Sequence, residues 1–307
     1  MKILIAQKLG ESGLKILRNQ KRHTFDYYQA LKTEDLFPLI AKYDALIVRS
    51  QPQLNRPILL MGQNLKVIGR AGVGLDNIDL KAASELQIEV VNSADANIIS
   101  AAEHTFALIM AVSRNLVSAH QSLQKGIWNR ELFIGTELYA KTLGLIGCGR
   151  IATHVAQIAK GFGLKIIGYD PYLTPESAQE KGICKKEKID EVLQKADIIS
   201  LHVQKTSETT NLLTEKELQK MKSSAILINC ARGGVVNESD LYAALLQKKI
   251  AGAGIDVWET EPDTTNPLQK LSNVVATPHL GALTQEAQER VSESIVQKVL
   301  EKLELHN

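Results

Sequence analysis

The sequence predicts an α/β protein with two parallel-sheet domains, one of them doubly wound. Short apolar runs typical of buried strands alternate along the chain with stretches of helical periodicity. A strand, a glycine turn, a helix and a second strand follow one another over residues 141–170. The chain has 307 residues, more than one hydrophobic core usually holds, so two domains are expected.

The part of the chain before residue 95 predicts the smaller domain. Four candidate strands alternate there with helical stretches such as 13–19, 33–42 and 79–86. The strands are Lys2–Ala6, Ala45–Arg49, Lys66–Arg70 and Glu89–Asn92. The third strand runs into a turn with two glycines, Gly72 and Gly74. Such a turn exposes backbone N–H groups that suit an anion, although a plain turn into the next helix explains the same residues.

A second sheet is predicted after one long amphipathic helix, Ser100 to Lys125. Ser100 and Glu103 have the spacing of a capping box. This helix either joins the two domains or packs against a partner subunit, and we interpret its His104 and His120 as surface or core histidines. Six candidate strands and a final helix over 285–305 follow it. The strands are 143–146, 164–169, 197–203, 224–230, 250–257 and 273–277.

The first strands of this second sheet carry a nucleotide-binding pattern. Gly147 permits a tight turn, and Gly149 leaves room for a pyrophosphate at the N-terminus of the helix that begins at Arg150. Asp170 ends the second strand, where a carboxylate accepts hydrogen bonds from ribose hydroxyls and repels a 2′-phosphate. The pattern therefore predicts a Rossmann domain that prefers NAD to NADP.

Three candidate catalytic residues follow late strands of the same sheet: Arg232, Glu261 and His279. Ligands of doubly wound sheets bind outside the carboxyl ends of the strands. A histidine that takes a hydroxyl proton, an acid that favours its protonated form and an arginine that pairs with a carboxylate suit hydride transfer from a hydroxy acid. Each residue alone also has an ordinary structural explanation.

Composition argues against several other classes of protein. The chain has 36 Lys and Arg against 34 Asp and Glu, without blocks of like charge, which argues against nucleic acid or a membrane surface as the main partner. Cys148, Cys184 and Cys230 lack metal-ligand spacing, so we expect reduced thiols, no metal site and a cytoplasmic protein. No signal peptide or membrane-spanning apolar run is visible.

Along nearly its whole length the chain resembles the D-isomer-specific 2-hydroxyacid dehydrogenases. The matching motifs are Arg70–Asp79, Gly147–Ile151, Asn229–Gly234, Gly254–Trp258 with Glu261-Pro262, and Pro278–Ala282. Within the family, Arg49-Ser50, Trp128–Leu138 and Asn229–Gly234 are most similar to members that oxidise D-3-phosphoglycerate, the first step of serine biosynthesis. The resemblance therefore implies D-3-phosphoglycerate as a small-molecule substrate and NAD as the cofactor. It also implies a homodimer that forms through the region of residues 100–125.

The resemblance also assigns domains and residues. It implies a Rossmann domain over 97–284 and a smaller, flavodoxin-like substrate domain formed by 1–96 and 285–307. The catalytic residues would be Arg232, Glu261 and His279. NAD would contact Val73, Gly147, Gly149, Arg150, Ile151, Asp170, Val203, Cys230, Asp256, Gly281 and Ala282. The substrate would contact Arg49, Arg70, Val73, Gly74 and, from a partner subunit, Arg130.

Two alternatives stay open at this point. One is another enzyme of the family, such as a glyoxylate/hydroxypyruvate reductase or a D-lactate dehydrogenase, because the shared core does not separate them. The other is an NAD-sensing binding protein like the transcriptional corepressors of this fold. The arginines at 49, 70 and 130 favour a phosphorylated substrate.

Overall fold

The computed structural model describes residues 1–306, which form two compact units. Unit 1 consists of Met1–Ile98 together with the chain from Ala282 onward, and unit 2 is Ile99–Gly281. Unit 1 is therefore discontinuous in sequence. None of the described helices has the length and apolar character needed to cross a membrane.

Unit 1 contains a five-stranded, fully parallel sheet in the order β2-β1-β3-β4-β5. The strands are β1 Lys2–Ile5, β2 Thr24–Tyr27, β3 Ala45–Val48, β4 Val67–Arg70 and β5 Glu89–Asn92. This is the flavodoxin-like order, so the predicted class of the smaller domain is confirmed. The sequence prediction missed β2, because this edge strand has no fully buried residue and hence no apolar run.

Five helices belong to unit 1. They are α1 Glu11–Asn19, α2 Thr33–Leu36, α3 Arg56–Met61, α4 Leu80–Glu85 and α12 Gln285–Glu304. The last one packs on β4 at Gly69, where an added Cβ would lie 2.5 Å from Val299 Cγ2. The predicted helix over 33–42 was wrong in extent. It ends at Leu36 because Pro38 lacks an N–H and restricts Phe37, and the chain resumes as a 3₁₀ turn at Ile40–Lys42.

Unit 2 contains a seven-stranded parallel sheet in the order β12-β11-β10-β9-β6-β7-β8. The strands are β6 Thr142–Ile146, β7 Lys165–Tyr169, β8 Cys184–Lys185, β9 Ile198–Leu201, β10 Ile226–Asn229, β11 Gly252–Ile255 and β12 Val274–Ala276. The order is that of a Rossmann fold, which confirms the predicted doubly wound class, and the sheet has one strand more than the six predicted. Only the two-residue edge strand β8 was missed, since it is too short to leave a pattern.

The helices of unit 2 are α5 Ile98–Ser113, α6 Leu116–Gln124, α7 Arg150–Gly161, α8 Pro175–Lys181, α9 Ile189–Lys195, α10 Glu215–Leu218 and α11 Glu238–Leu246. Two 3₁₀ turns, Arg130–Phe133 and Pro267–Lys270, complete the unit. The side chain of Asn237 caps α11 by accepting from the Asp240 N–H at 3.0 Å.

The prediction of one helix over 100–125 was wrong. The chain forms α5 and α6 there, separated by Asn115, whose φ of +50° is left-handed. Asparagine tolerates this conformation better than most residues, so the break falls on it. The predicted capping box was wrong too, because α5 begins at Ile98 and the Ser100 hydroxyl donates to Gly281 O at 2.9 Å.

Candidate active site

A glycine turn between β6 and α7 forms an open cradle. Gly147 has a φ of +86°, and a Cβ there would lie 2.7 Å from His202 O and 3.0 Å from Val203 Cγ1. A Cβ at Gly149, by contrast, would meet no atom within 4 Å. Gly149 is the N-cap of α7, and no side chain caps that end of the helix. The first turn of α7, which begins at Arg150 and Ile151, therefore presents the kind of uncapped helix N-terminus that suits an anion.

Asp170 follows β7 beside this cradle. Its carboxylate accepts the Cys148 N–H at 2.8 Å and the Tyr172 N–H at 2.9 Å. Lys181 Nζ donates to the Cys148 carbonyl at 3.0 Å. These bonds hold the acid and the turn in one arrangement, with further lone pairs on the carboxylate for ribose hydroxyls. The open turn and the acid fit an NAD molecule.

We expect Asp170→Ala to narrow the preference for NAD over NADP by about tenfold or more, because a hydrogen bond to a charged group contributes about 1.5–3 kcal/mol. The measurement is the ratio of kcat/KM for the two cofactors. Asp190→Ala, which removes a carboxylate paired with Lys220 at 2.7 Å, is the matched control in the same unit. An unchanged ratio in Asp170→Ala would refute the role.

The loop after β10 holds Arg232 in a defined position. The buried Asn229 side chain accepts from the Ala231 N–H and donates to Arg232 O, both at 3.0 Å. The loop also packs directly on Trp258, since a Cβ at Gly233 would lie 1.8 Å from Trp258 O. Arg232 Nη1 donates to Ala231 O at 2.7 Å. Its guanidinium is also near enough to His279 to act on the pKa of that imidazole, in the lowering direction.

His279 and Glu261 form an imidazole–carboxylate pair, with His279 Nδ1 2.7 Å from Glu261 Oε2. The other carboxylate oxygen accepts the Trp258 N–H at 3.0 Å. The hydrogen bond from Glu261 raises the pKa of His279 above its ordinary value, against an opposing effect of burial. The pKa of Glu261 is lowered in turn, because the hydrogen bonds from His279 and Trp258 outweigh burial, which raises it. Both shifts favour the ion pair.

Asp256 organises the turn that carries His279. It is fully buried, its backbone oxygen accepts the His279 N–H at 2.9 Å, and its carboxylate accepts the N–H groups of Leu280 and Gly281 at 2.7 and 2.9 Å. Burial alone would raise its pKa, but hydrogen bonds led by that of His104 lower it, so the carboxylate stays ionised. The turn needs this support, because His279 has a left-handed φ of +57°.

Cys230 ends the β10 segment in the same unit. Burial raises the pKa of its thiol to about 12, so the sulfur remains protonated at neutral pH. A protonated thiol is a poor nucleophile, so nothing in this environment activates Cys230 for attack.

In unit 1 the strand ends hold the arginines assigned to the substrate. Arg49 follows β3, Arg70 ends β4, and the two strands pair in register at Val48 and Arg70. Burial lowers the pKa of the Arg49 guanidinium, and no acidic side chain within residues 1–306 forms an ion pair with it. Arg70 lies across Gly72, where any Cβ would clash with it. This edge of the sheet therefore carries two arginines.

The glycine turn beside them is also fixed. Asn92 Nδ2 donates to Val73 O at 2.7 Å, and the Ser93 N–H donates to Gly72 O at 3.0 Å.

Two further residues assigned by the resemblance lie elsewhere in the chain. Arg130 belongs to unit 2, in the exposed 3₁₀ turn Arg130–Phe133. Ala282 begins the last part of unit 1, and its carbonyl accepts from Gln288 Nε2 at 2.7 Å.

His104 is the polar residue whose contacts the sequence analysis missed. Its Nε2 lies 3.1 Å from Asp256 Oδ1 and 3.2 Å from Thr277 Oγ1. Thr277 is 173 positions away in the chain and Asp256 is nearly as far, so no local pattern connects these residues.

The sequence was compared with protein families and with known proteins, and both comparisons found relatives. Residues 106–281 match the family described as D-isomer specific 2-hydroxyacid dehydrogenase, NAD binding domain. The chain is 44% identical over 299 residues to D-3-phosphoglycerate dehydrogenase of Methanocaldococcus jannaschii, covering 97% of this chain and 57% of that protein. It likewise covers 53% of the Synechocystis sp. enzyme of that name, with 41% identity, so it spans about half the length of these relatives.

Solved structures resemble the whole chain. D-lactate dehydrogenase from Aquifex aeolicus, complexed with NAD and lactic acid, has a TM-score of 0.85 and 29% identity, covering 98% of this chain and 97% of that one. A protein from Thermus thermophilus has a TM-score of 0.91 and 32% identity, covering 99% of this chain and 97% of that one.

Proposed function

Because this chain belongs to the D-isomer specific 2-hydroxyacid dehydrogenases and carries their NAD-binding domain, we propose that it oxidises D-3-phosphoglycerate to 3-phosphohydroxypyruvate. This reaction would be the first step of serine biosynthesis. The curated relatives that share 41–44% of their aligned residues with the chain bear the name of that activity. The observation that carries the proposal is the His279–Glu261 pair at 2.7 Å.

That pair supports proton transfer at the substrate hydroxyl. Glu261 occupies His279 Nδ1, which leaves Nε2 to take the hydroxyl proton as the hydride leaves the same carbon. Glu261 then stabilises the imidazolium, as the raised pKa of His279 indicates. Bound NAD supplies the hydride acceptor. The loss of the proton and the hydride together converts the hydroxyl carbon into a carbonyl.

Arg232 would orient the substrate carboxylate. Its planar guanidinium can donate two parallel hydrogen bonds to a carboxylate. The loop held by Asn229 and packed on Trp258 limits the motion of Arg232, which favours one orientation of the bound acid.

The charge of Arg49 supports a phosphorylated substrate. A half-buried guanidinium with its pKa lowered by burial and no paired acid within residues 1–306 gains from binding an anion. A phosphate carries close to two negative charges at neutral pH and accepts forked hydrogen bonds from arginine. We assign Arg49, Arg70 and the N–H groups of Val73 and Gly74 to the anionic groups of the substrate.

The deciding experiment is turnover with D-3-phosphoglycerate and NAD, compared with D-glycerate, D-lactate and, in the reductive direction, glyoxylate and hydroxypyruvate. The proposal expects the highest kcat/KM with D-3-phosphoglycerate. Higher values with an unphosphorylated acid would move the chain to the other enzymes of the family. Binding of NAD without turnover of any of these acids would indicate an NAD-sensing protein.

We expect Arg49→Ala and Arg130→Ala each to raise KM for D-3-phosphoglycerate about tenfold or more, because each removes a charge-assisted hydrogen bond worth about 1.5–3 kcal/mol. Turnover of D-glycerate should change little. Arg56→Ala, which removes a surface arginine paired with Glu85 in unit 1, is the matched control. Equal losses on both substrates would contradict the assignment to the phosphate.

We propose a homodimer that uses the exposed apolar segment of unit 2. Large apolar side chains there are more than half exposed: Leu116, Leu123, Ile127, Trp128, Leu132, Ile134 and Tyr139. A patch of this kind marks an interaction surface, and Arg130 lies within it, in position to reach a partner. Sedimentation equilibrium should give a dimer, and Trp128→Lys should shift it toward monomer. A monomeric parent protein would reject this part of the proposal.

A further inference from the structure

One face of α5 contacts the turn that carries His279. Ser100 Oγ donates to Gly281 O at 2.9 Å, and His104 Nε2 lies 3.1 Å from Asp256 Oδ1. Both side chains are shielded: Ser100 is buried and the His104 side chain is 18% exposed. Residues four apart are neighbours on a helix surface, so the first turns of α5 hold this turn at two adjacent points.

Asp256 is the group through which His104 acts. Its buried carboxylate faces four donors: His104 Nε2, Thr277 Oγ1 at 2.5 Å, and the N–H groups of Leu280 and Gly281. Three of these donors come from the segment that Asp256 supports, and only His104 comes from a helix. A buried carboxylate keeps its charge only when donors surround it. His104 thus connects the carboxylate to a rigid element.

We propose that His104 is a positioning residue for the proposed dehydrogenase reaction: it holds Asp256 in place, and Asp256 holds the His279 turn so that the imidazole stays against Glu261. His104 touches none of the reacting groups in this arrangement. Cys230, Glu261 and His279 are the other titratable groups that face Asp256. The expected effect of His104 on kcat rests on the proposed function. Its expected effect on the position and pKa of His279 does not.

The test compares two substitutions of one residue. His104→Leu removes the donor at similar volume, whereas His104→Gln can place an amide N–H close to the position of the imidazole Nε2. We expect His104→Leu to lower kcat about tenfold, the loss typical of one hydrogen bond to a charged group, and His104→Gln to restore most of it. In the profile of kcat/KM for oxidation against pH, the rise that reports deprotonation of His279 should move to lower pH in His104→Leu. It should stay in place in His104→Gln. A wild-type kcat in His104→Leu, or equal losses in the two variants, would overturn the proposal.

A second measurement separates this proposal from the proposed function. The titration of His279 is followed by NMR, with its signal identified by its loss in His279→Asn, and needs no turnover. We expect the His279 pKa in His104→Leu to move down toward its ordinary value, because the turn that keeps it beside Glu261 is weakened. An unmoved His279 titration would overturn the proposal even in a protein that turns over every substrate.

Loss of folding in His104→Leu would be detected by circular dichroism. In that case a double-mutant cycle between position 104 and Asp256→Asn tests the proposal instead. His104→Ala, a smaller substitution that should also lower kcat about tenfold in the parent protein, is used for this cycle: if His104 acts through Asp256, His104→Ala in the Asp256→Asn background should change kcat by less than about twofold. A loss of the same size as in the parent background would show that His104 acts by another route and would overturn the proposal.

Discussion

Replacing His279 by Asn should lower kcat for oxidation of the substrate by about a hundredfold to ten-thousandfold, the usual contribution of a general base. The reason is geometric. Glu261 occupies Nδ1 at 2.7 Å, so the proposed mechanism has Nε2 take the proton, and Asn can hold the same turn without that proton chemistry. The binding of NAD should change little, because the cradle at Gly147–Ile151 is remote in sequence and intact. Initial rates and cofactor fluorescence measure the two quantities.

His306→Asn is the matched control for this substitution. His306 also lies beside a glutamate, with Nε2 3.3 Å from Glu89 Oε1, but it belongs to the end of unit 1. It should keep kcat within about twofold of the parent, as expected of a surface pair. A near-normal kcat in the His279→Asn protein would show that the His279 imidazole is not the general base.

The Glu261→Gln protein should show the second largest effect, a loss of about tenfold to a hundredfold in kcat/KM with a shifted pH profile. Glu261 raises the pKa of His279, so the protonated imidazole persists to higher pH in the parent. Without the carboxylate charge that pKa falls. Reduction, which needs the protonated form, should then lose activity at lower pH, and oxidation, which needs the neutral form, should reach its plateau at lower pH.

Profiles of kcat/KM against pH in both directions measure these shifts. Glu301→Gln, which alters an exposed glutamate of α12, should leave both profiles in place. A pH profile that shifts for oxidation but not for reduction, or for neither, would contradict the assignment. It would show that Glu261 does not set the pKa of His279.

Much of the site was predictable because its signals are local. The turn at Gly147 and Gly149 and the acid at Asp170 lie within one strand–helix–strand unit, where spacing alone defines the geometry. The two sheet classes follow from the alternation of strands and helices. The errors have local causes too: β2 and β8 are edge strands without an apolar run, and Asn115 and Pro38 interrupt helices that periodicity extends.

The sequence by itself determined the succession of strands and helices, the nucleotide cradle and the identity of the residues that follow the late strands. These depend on backbone preferences and side-chain patterns over a few neighbouring residues. Only the tertiary structure decided that Glu261 contacts His279, that Asp256 supports its turn and that His104 reaches Asp256 from α5. Hydrogen bonds of this kind join segments distant in the chain, and burial then sets which protonation state each group keeps, so neither is encoded in local spacing.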